Sequence, residues 1–164
     1  MPELLNSISG RFWRSTFIGN ESKIFEPASA PNGRWHHDGQ RALYLSASPE
    51  GCRIALKVYQ NSDDPDRGIF RVRVENAKIA DLRRPEIRRA LRTTLPEVHA
   101  FWADLMANGQ TSPTWAISDA LRKMGADRLL TPSRSRPDLT HLTLFNWNNT
   151  GGPSLARCGE PLSH

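Results

Sequence analysis

A loop bracketed by glycines carries the first group of residues that could do chemistry. Residues 33–39 read Gly-Arg-Trp-His-His-Asp-Gly and lead into an apolar segment that ends at Ser46. A guanidinium such as that of Arg34 can hold a pyrophosphate through two N–H bonds. The rings of Trp35 and Tyr44 could stack on an adenine or nicotinamide ring. The alternative is structural, with Trp35 and Tyr44 in the core and Arg34 on the surface.

A second group lies late in the chain, where an apolar segment runs into Pro132-Ser133-Arg134. If residues 127–132 form a strand, the hydroxyl of Ser133 stands at its end, where ligand sites often lie. The alternative is a turn rich in serine and arginine without a ligand.

Metal and thiol chemistry find little support in the sequence. His36 and His37 are adjacent, adjacent histidines rarely point at one ion, and no third ligand is well spaced, so we expect no metal. Cys52 and Cys158 are far apart and show no zinc spacing. We expect Cys52 in the core and Cys158 as a free thiol, which indicates a reducing compartment.

The elements that must position these residues follow from periodicity and punctuation. Strands are predicted at 11–18, 41–46, 68–76 with an extension over 77–82, 127–132 and 139–147. Helices are predicted at 49–60, opened by Ser48 as N-cap and Pro49, and at 85–92, 96–108 and 114–124, the last stopped by Gly125. Residues 19–40 form a long loop. This order predicts an α+β domain with a mixed sheet.

Length, composition and charge indicate the class of protein and the kinds of partner that suit it. The chain has 164 residues, of which 38% are hydrophobic and 24% charged, typical of one globular domain over 1–164 with a core at about 11–147. The tail at 148–164 is rich in Gly, Pro and Ser and predicted to be peripheral. A net charge of +5 suits an anionic nucleotide, a nucleic acid or an acidic partner. The N-terminus shows no signal-peptide pattern and no segment has the length of a membrane span, so a cytoplasmic location is expected.

The segment GRWHHDGQRALYLSASPEG, followed later by GADRLLTPSRSRPDLTHLTLFNW, resembles the RES domain. That family shows a Gly-Arg-Trp loop, a Tyr-x-Ser strand, a helix near Ser/Thr-Pro-x-Gly and a late strand that ends in Pro-Ser. The resemblance covers roughly residues 11–147, and the order and spacing of the motifs are more specific than any one of them. It implies a fold similar to ADP-ribosyltransferases, with a mixed sheet core and flanking helices.

The resemblance also implies a function. Family members are bacterial toxins that use NAD as substrate, degrading it or transferring ADP-ribose to a host protein. Their usual partner is an antitoxin with an Xre-like helix-turn-helix domain that blocks the cleft. By position, Arg34 should contact NAD phosphate or ribose, Tyr44 should stack on nicotinamide, and Ser133 should orient ribose or the nicotinamide amide. Arg14 could bind phosphate, and the expected NAD site is completed by Trp35 and Ser46.

One departure from the family pattern concerns a carboxylate. A glutamate is expected about eleven positions after the tyrosine, and this position is Ala55 here. That carboxylate would stabilise the positive charge that develops on ribose as nicotinamide leaves. The nearest substitute is Glu50 in the first turn of the helix, which we expect to be either catalytic or merely favourable to the helix dipole.

Two other functions stay open at this point. The chain could be a non-enzymatic nucleic-acid- or protein-binding module with a degenerate NAD site, although it shows no helix-turn-helix, RNP or zinc signature. It could also be an inactive relative that acts only through its partner.

Overall fold

A computed structural model describes residues 4–57, 61–149 and 153–163. Its seven strands are β1 (Asn6–Phe17), β2 (Leu43–Ser46), β3 (Arg67–Asp81), β4 (Arg128–Pro132), β5 (Thr140–Leu144), β6 (Ser154–Arg157) and β7 (Leu162–Ser163). Its helices are α1 (Pro49–Leu56), α2 (Pro85–Ala90), α3 (Leu95–Val98), α4 (Trp102–Ala107) and α5 (Pro113–Lys123), besides a 3-10 turn at Glu21–Lys23. The predicted α+β class is therefore confirmed.

The strands form one mixed sheet whose pairings close into a circuit. Neighbouring strands follow the order β1-β2-β5-β4-β3-β6, β7 also pairs with β3, and β1 pairs with β3. The long β1–β3 pairing is antiparallel and runs from Asn6↔Ile79 to Phe17↔Arg67, whereas β3 and β4 are parallel. By contrast, β1 meets β2 only at Trp13↔Ser46. The sheet therefore has a short junction between β1 and β2.

Strand β3 shows why the sheet has a core face. Its side chains alternate, with Val72 and Val74 buried and Arg73 exposed between them, as the period of two in the sequence predicts. A fully buried aliphatic or aromatic side chain contributes roughly 1.5–3 kcal/mol. Two buried clusters result, one of which contains Phe12, Phe70, Leu142 and Trp147, the other Trp35, Leu82, Ile87, Leu121, Leu129 and Phe145.

The predicted starts of α1 and α5, and the predicted end of α5, are confirmed to within a residue, and capping residues define each of them. The Ser48 hydroxyl accepts a hydrogen bond of 3.1 Å from the Gly51 amide, and Pro49 is the first residue of α1. Ser112 caps α5 in the same way, and Gly125 follows the helix with a φ of +78°. Helix α1 ends at Leu56 instead of residue 60, and residues 58–60 of the prediction lie outside the described residues.

The prediction of one helix over 96–108 is wrong. Thr94 and Glu97 form a capping box that opens the short helix α3, and the chain then leaves helical geometry, with Phe101 at φ −88° and ψ 94° before α4. The helical spacing of apolar residues predicted one continuous helix, but these residues do not all face the same side of a helix. Val98 is buried in the core, whereas Phe101 and Trp102 line a cavity.

Residues 153–163 of the tail that was predicted to be peripheral form two mostly exposed strands at an edge of the sheet. Strand β6 pairs with the middle of β3, where Val74 lies opposite Leu155, and β7 pairs with its beginning. Leu155 is buried in the main core. Strands of four and two residues are too short to show a period in the sequence. In the part of the chain that the structure describes, no helix has the length and apolar character needed to cross a bilayer.

Candidate functional site

A cavity of about 520 Å³ opens beside the junction of β1 and β2. The six residues expected to bind NAD all line it, although they come from four separate parts of the chain: Arg14, Arg34, Trp35, Tyr44, Ser46 and Ser133. The aromatic residues Trp13, Phe101 and Trp102 line it as well. The glycine-bracketed loop with the strand after it and the Pro132-Ser133-Arg134 segment thus meet at one cavity.

Strand register explains how the polar residues meet. Ser46 at the end of β2 lies opposite His141 of β5, and His141 lies opposite Thr131 of β4. Ser133 follows directly after β4, where its amide bonds to the Leu139 carbonyl. The ends of three strands therefore present hydroxyl and imidazole groups to one side of the cavity.

Tyr44 is fixed by a hydrogen-bond chain within the loop that precedes it. His36 lies 2.8 Å from the Ala30 carbonyl through Nε2, and a carbonyl can only accept, so Nε2 carries the proton. Its Nδ1 then accepts from the Tyr44 hydroxyl at 2.6 Å, and that hydroxyl accepts from the Trp35 amide at 3.0 Å. Burial lowers the pKa of His36, which keeps it neutral for this role. Sequence reasoning missed His36 as a supporting residue because it considered the histidine only as a metal ligand.

Gly33 leaves the space that this chain of hydrogen bonds needs. A Cβ at Gly33 would lie 2.4 Å from Cε1 of His36 and 2.8 Å from the Tyr44 hydroxyl oxygen. No side chain fits there without moving the pair. The glycine is required for close approach, which gives a physical reason for the Gly-Arg-Trp start of the loop.

The outer part of the loop is held against α5. Nε2 of His37 lies 2.8 Å from Asp119, and its Nδ1 lies 2.7 Å from Asp38. Desolvation lowers the pKa of His37, but its bonds to Asp119 and Asp38 outweigh that effect and raise the pKa above the ordinary value. The imidazole also stacks on Trp115, whose Nε1–H donates to the Gly33 carbonyl. His36 and His37 therefore have separate partners, and the described residues contain no group of three or more side chains suited to a metal ion.

Arginines make the cavity electropositive. The Arg14 guanidinium donates to the carbonyls of Ile24 and Glu26, and burial lowers the pKa of Arg14 to about 10 despite the Glu26 charge. Arg34 donates to the Val98 carbonyl, and the Arg134 guanidinium lies 4.3 Å from the centre of the Phe101 ring. At a pKa of about 10, Arg14 remains charged at neutral pH. Among the described residues, none of the side chains that line the cavity is a carboxylate.

Glu50 is not brought into the cavity. Its carboxylate is exposed and accepts a hydrogen bond of 3.1 Å from Arg136, which also binds Asp138 at 2.8 Å. Ala55, where the family resemblance places a glutamate, does line the cavity. Helix α1 turns these two positions to different surroundings, so the geometry gives no support to Glu50 as a substitute for the missing carboxylate.

His141 is a cavity residue that sequence reasoning missed. Its Nδ1 lies 2.8 Å from the Ser46 hydroxyl oxygen. Burial, together with the nearby charge of Arg34, lowers its pKa to about 4. Within the strand at 139–147 nothing in the sequence distinguished this histidine, because its partner lies 95 residues away.

The two cysteines are free, as expected. Cys52 is buried beside the cavity and its thiol donates to the Trp13 carbonyl. Burial raises the pKa of Cys52 to about 11, which keeps the thiol protonated at neutral pH. A thiol in that state is not a nucleophile.

Comparison with known proteins decides the family. The sequence-family model of the RES domain matches residues 10–160, which is nearly the whole chain. The chain belongs to the RES domain family. A solved structure described as the M. tuberculosis MbcT–MbcA toxin–antitoxin complex contains a chain with the same fold, at 16% sequence identity and a TM-score of 0.64. The alignment covers 97% of this RES domain and 87% of that chain. No curated protein matches the sequence.

Proposed function

We propose that this RES domain is the toxin of a toxin–antitoxin pair that binds NAD in the cavity and cleaves its nicotinamide–ribose bond. The observation that carries this proposal is the convergence of Arg14, Arg34, Trp35, Tyr44, Ser46 and Ser133 on one cavity. Family resemblance selected these residues from short motifs in distant parts of the chain. Their meeting at one place is what an NAD site requires.

The chemistry of the lining suits a dinucleotide. Guanidinium groups bind phosphate oxygens through paired N–H bonds, and Arg14, Arg34 and Arg134 supply three of them without a competing carboxylate in the lining. Trp13, Tyr44, Phe101 and Trp102 offer apolar and stacking surface for the rings. Trp35 is 1% exposed and packs in the core. A volume of about 520 Å³ lies in the range of ligand pockets.

Cleavage requires stabilisation of positive charge on ribose. The bond between ribose C1′ and the nicotinamide nitrogen breaks with its electron pair passing to nicotinamide, which leaves as a neutral molecule. We propose that the Tyr44 ring holds nicotinamide and that Ser133 orients the ribose or the amide. Because Ala55 supplies no carboxylate, charge stabilisation is weaker than in a relative with glutamate there. ADP-ribose then passes to a host protein or to water.

A cognate antitoxin is the proposed partner. The name of the M. tuberculosis complex shows that a chain of this fold can pair with an antitoxin. We propose an antitoxin with an Xre-like helix-turn-helix domain that covers the cavity in the cytoplasm of a bacterium. The charge of +5 favours an acidic segment of that partner.

The decisive experiment measures NAD turnover and nicotinamide release by the purified protein, with and without cell lysate as a source of acceptors. Arg34→Ala should weaken NAD binding at least about tenfold, because a charged hydrogen-bond donor to the ligand is lost. Glu50→Gln serves as the matched control, since Glu50 is an exposed residue outside the cavity. A labelled protein band after incubation with labelled NAD would indicate transfer, and free ADP-ribose would indicate hydrolysis. Absence of NAD binding and turnover in the wild type would contradict the proposal.

A second candidate is a non-enzymatic module with a degenerate NAD site. The absence of a carboxylate from the described cavity lining favours it. It predicts that NAD binds without being consumed, even in the presence of lysate. If neither NAD binding nor turnover occurs, salt-dependent binding to nucleic acid becomes the test of the basic surface.

A further inference from the structure

Ser46 and His141 form a partly buried polar pair inside the cavity. They are directly opposite each other on antiparallel strands, with 2.8 Å between the Ser46 oxygen and Nδ1 of His141. Ser46 is 3% exposed and is therefore held in place. Both side chains line the cavity, so the pair faces the space assigned to NAD.

The imidazole of His141 has a second nitrogen in addition to the one bound by Ser46. In the tautomer with the proton on Nδ1, that N–H donates to the Ser46 oxygen and the lone pair lies on Nε2. The charged and titratable groups that line the cavity with His141 are Arg14, Arg34, Arg134, His36, Tyr44 and Cys52. Arginine charges disfavour a proton on His141, and none of the other groups is a carboxylate that would favour it.

Building on the proposed function, we propose that His141 is the general base that accepts the proton of the hydroxyl attacking ribose, and that Ser46 holds the imidazole in position. In this step the bond between C1′ and the nicotinamide nitrogen breaks, and its electron pair leaves with nicotinamide. A bond forms between C1′ and the oxygen of water or of a hydroxyl on a target protein. The proton of that oxygen passes to Nε2 of His141 and then to solvent. No oxidant or reductant takes part.

The protonation state of His141 at neutral pH is suited to this step. Burial and Arg34 lower its pKa to about 4, close to the ordinary value of about 4.3 for a glutamate. The imidazole is therefore unprotonated at neutral pH and accepts protons about as readily as a carboxylate. Unlike a carboxylate, it brings no negative charge to stabilise the developing cation. The site thus retains a proton acceptor while lacking the electrostatic contribution of a glutamate at position 55.

His141→Asn tests the assignment with little change of shape. The asparagine amide nitrogen takes nearly the position of Nδ1 and can still donate to Ser46, but no group replaces the proton acceptor. We expect NAD affinity within about threefold of the wild type and a fall in kcat of about 10²–10⁴, the usual contribution of a general base. In the wild type, the logarithm of kcat plotted against pH should fall with a slope of one below the pKa of His141. The residual activity of His141→Asn should show no such fall.

Chemical rescue provides a second measurement that a structural role would not affect. In His141→Gly, added imidazole should restore part of the turnover, because a free base can enter the vacated space. Three results would overturn the assignment: His141→Asn with kcat within threefold of the wild type, equal losses of NAD binding and turnover, or no rescue by imidazole. A wild type that never consumes NAD would refute the proposed function itself, and this result is distinct from an active wild type with an active His141→Asn.

Discussion

The Tyr44 hydroxyl lies 2.6 Å from Nδ1 of His36, and this bond couples a side chain of the cavity to a buried imidazole in the loop before it. The hydroxyl also accepts from the Trp35 amide. The phenol is thus held through its oxygen, while the ring lines the cavity.

Tyr44→Phe should separate the role of the ring in the cavity from the role of the hydroxyl in the loop. The ring remains, so NAD affinity should stay within about threefold. The Trp35 amide and His36 each lose a partner in a buried place, which should cost about 1–3 kcal/mol of stability. Thermal unfolding and calorimetric NAD titration provide the two readouts. An unchanged melting temperature combined with a tenfold loss of NAD affinity would show that the hydroxyl contacts the ligand instead.

Gly33→Ala should displace the same pair by steric overlap. Its Cβ would lie 2.4 Å from His36, closer than real contacts allow. We expect a loss of stability of about 1–3 kcal/mol, in the range for overpacking, and a weaker NAD complex. Gly39→Ala is the matched control in the same loop, since its Cβ has no neighbour within 4 Å and meets only the strain of a φ of +76°. If both variants bind NAD equally well, the space at Gly33 has no role in the site.

Ala55→Glu should raise the rate of nicotinamide release. The side chain at position 55 lines a cavity that contains arginines, so a carboxylate there should be ionised and close to the developing charge on ribose. Electrostatic groups of this kind contribute about 10²–10³ in kcat, and we expect at least about a tenfold gain. Ala55→Gln, with the same shape but no charge, should give no gain. A loss of NAD binding in Ala55→Glu alone would mean that the carboxylate binds the arginines instead of serving the reaction.

The contact between His37 and Asp119 should make the stability of the protein depend on pH. The pKa of His37 is raised in the folded state, so its contribution is fully present below the unfolded pKa of about 6.5 and is lost as the pH rises through the higher folded value. Asp119 has a lowered pKa and contributes above its ordinary value of 3.8. The melting temperature should therefore decline from pH 6 to pH 8.5, and this decline should be smaller in Asp119→Asn.

Asp104→Asn provides the control for this measurement, because Asp104 is exposed on α4. It should show the same decline as the wild type. Equal declines in all three proteins would show that the contact does not control the titration of His37.

Local signals in the sequence predicted much of the fold. Val72 and Val74 alternate with arginines, and Ser48 and Pro49 open a helix, so these elements depend on neighbours within a few residues. The break at Phe101 could not be predicted, because the apolar spacing continues through it and the tertiary structure decides where each side chain goes. Strands β6 and β7 were missed because they depend on the edge of β3 and show little pattern of their own.

The site could be predicted only where short motifs carried it. Arg34, Tyr44 and Ser133 belong to recognisable segments, and the structure brings them to one cavity. The pair of Ser46 and His141 depends on strand register across 95 residues, and no local pattern reports that. Glu50 was chosen for its closeness along the chain to the position expected to hold a glutamate, but two residues five positions apart on a helix point to different surroundings.

The pairing of β6 and β7 with β3 affects the order in which the sheet forms during synthesis. One edge of β3 stays incomplete until residues 154–163 have been synthesised, so the sheet reaches its final form only after its other strands have been made. Pairings between distant parts of a chain also fold slowly, since the intervening loop must close first. On the ribosome, β3 should therefore lack its β6 and β7 partners after every residue that lines the cavity has already been made, so the cavity walls can assemble before this edge of the sheet is covered.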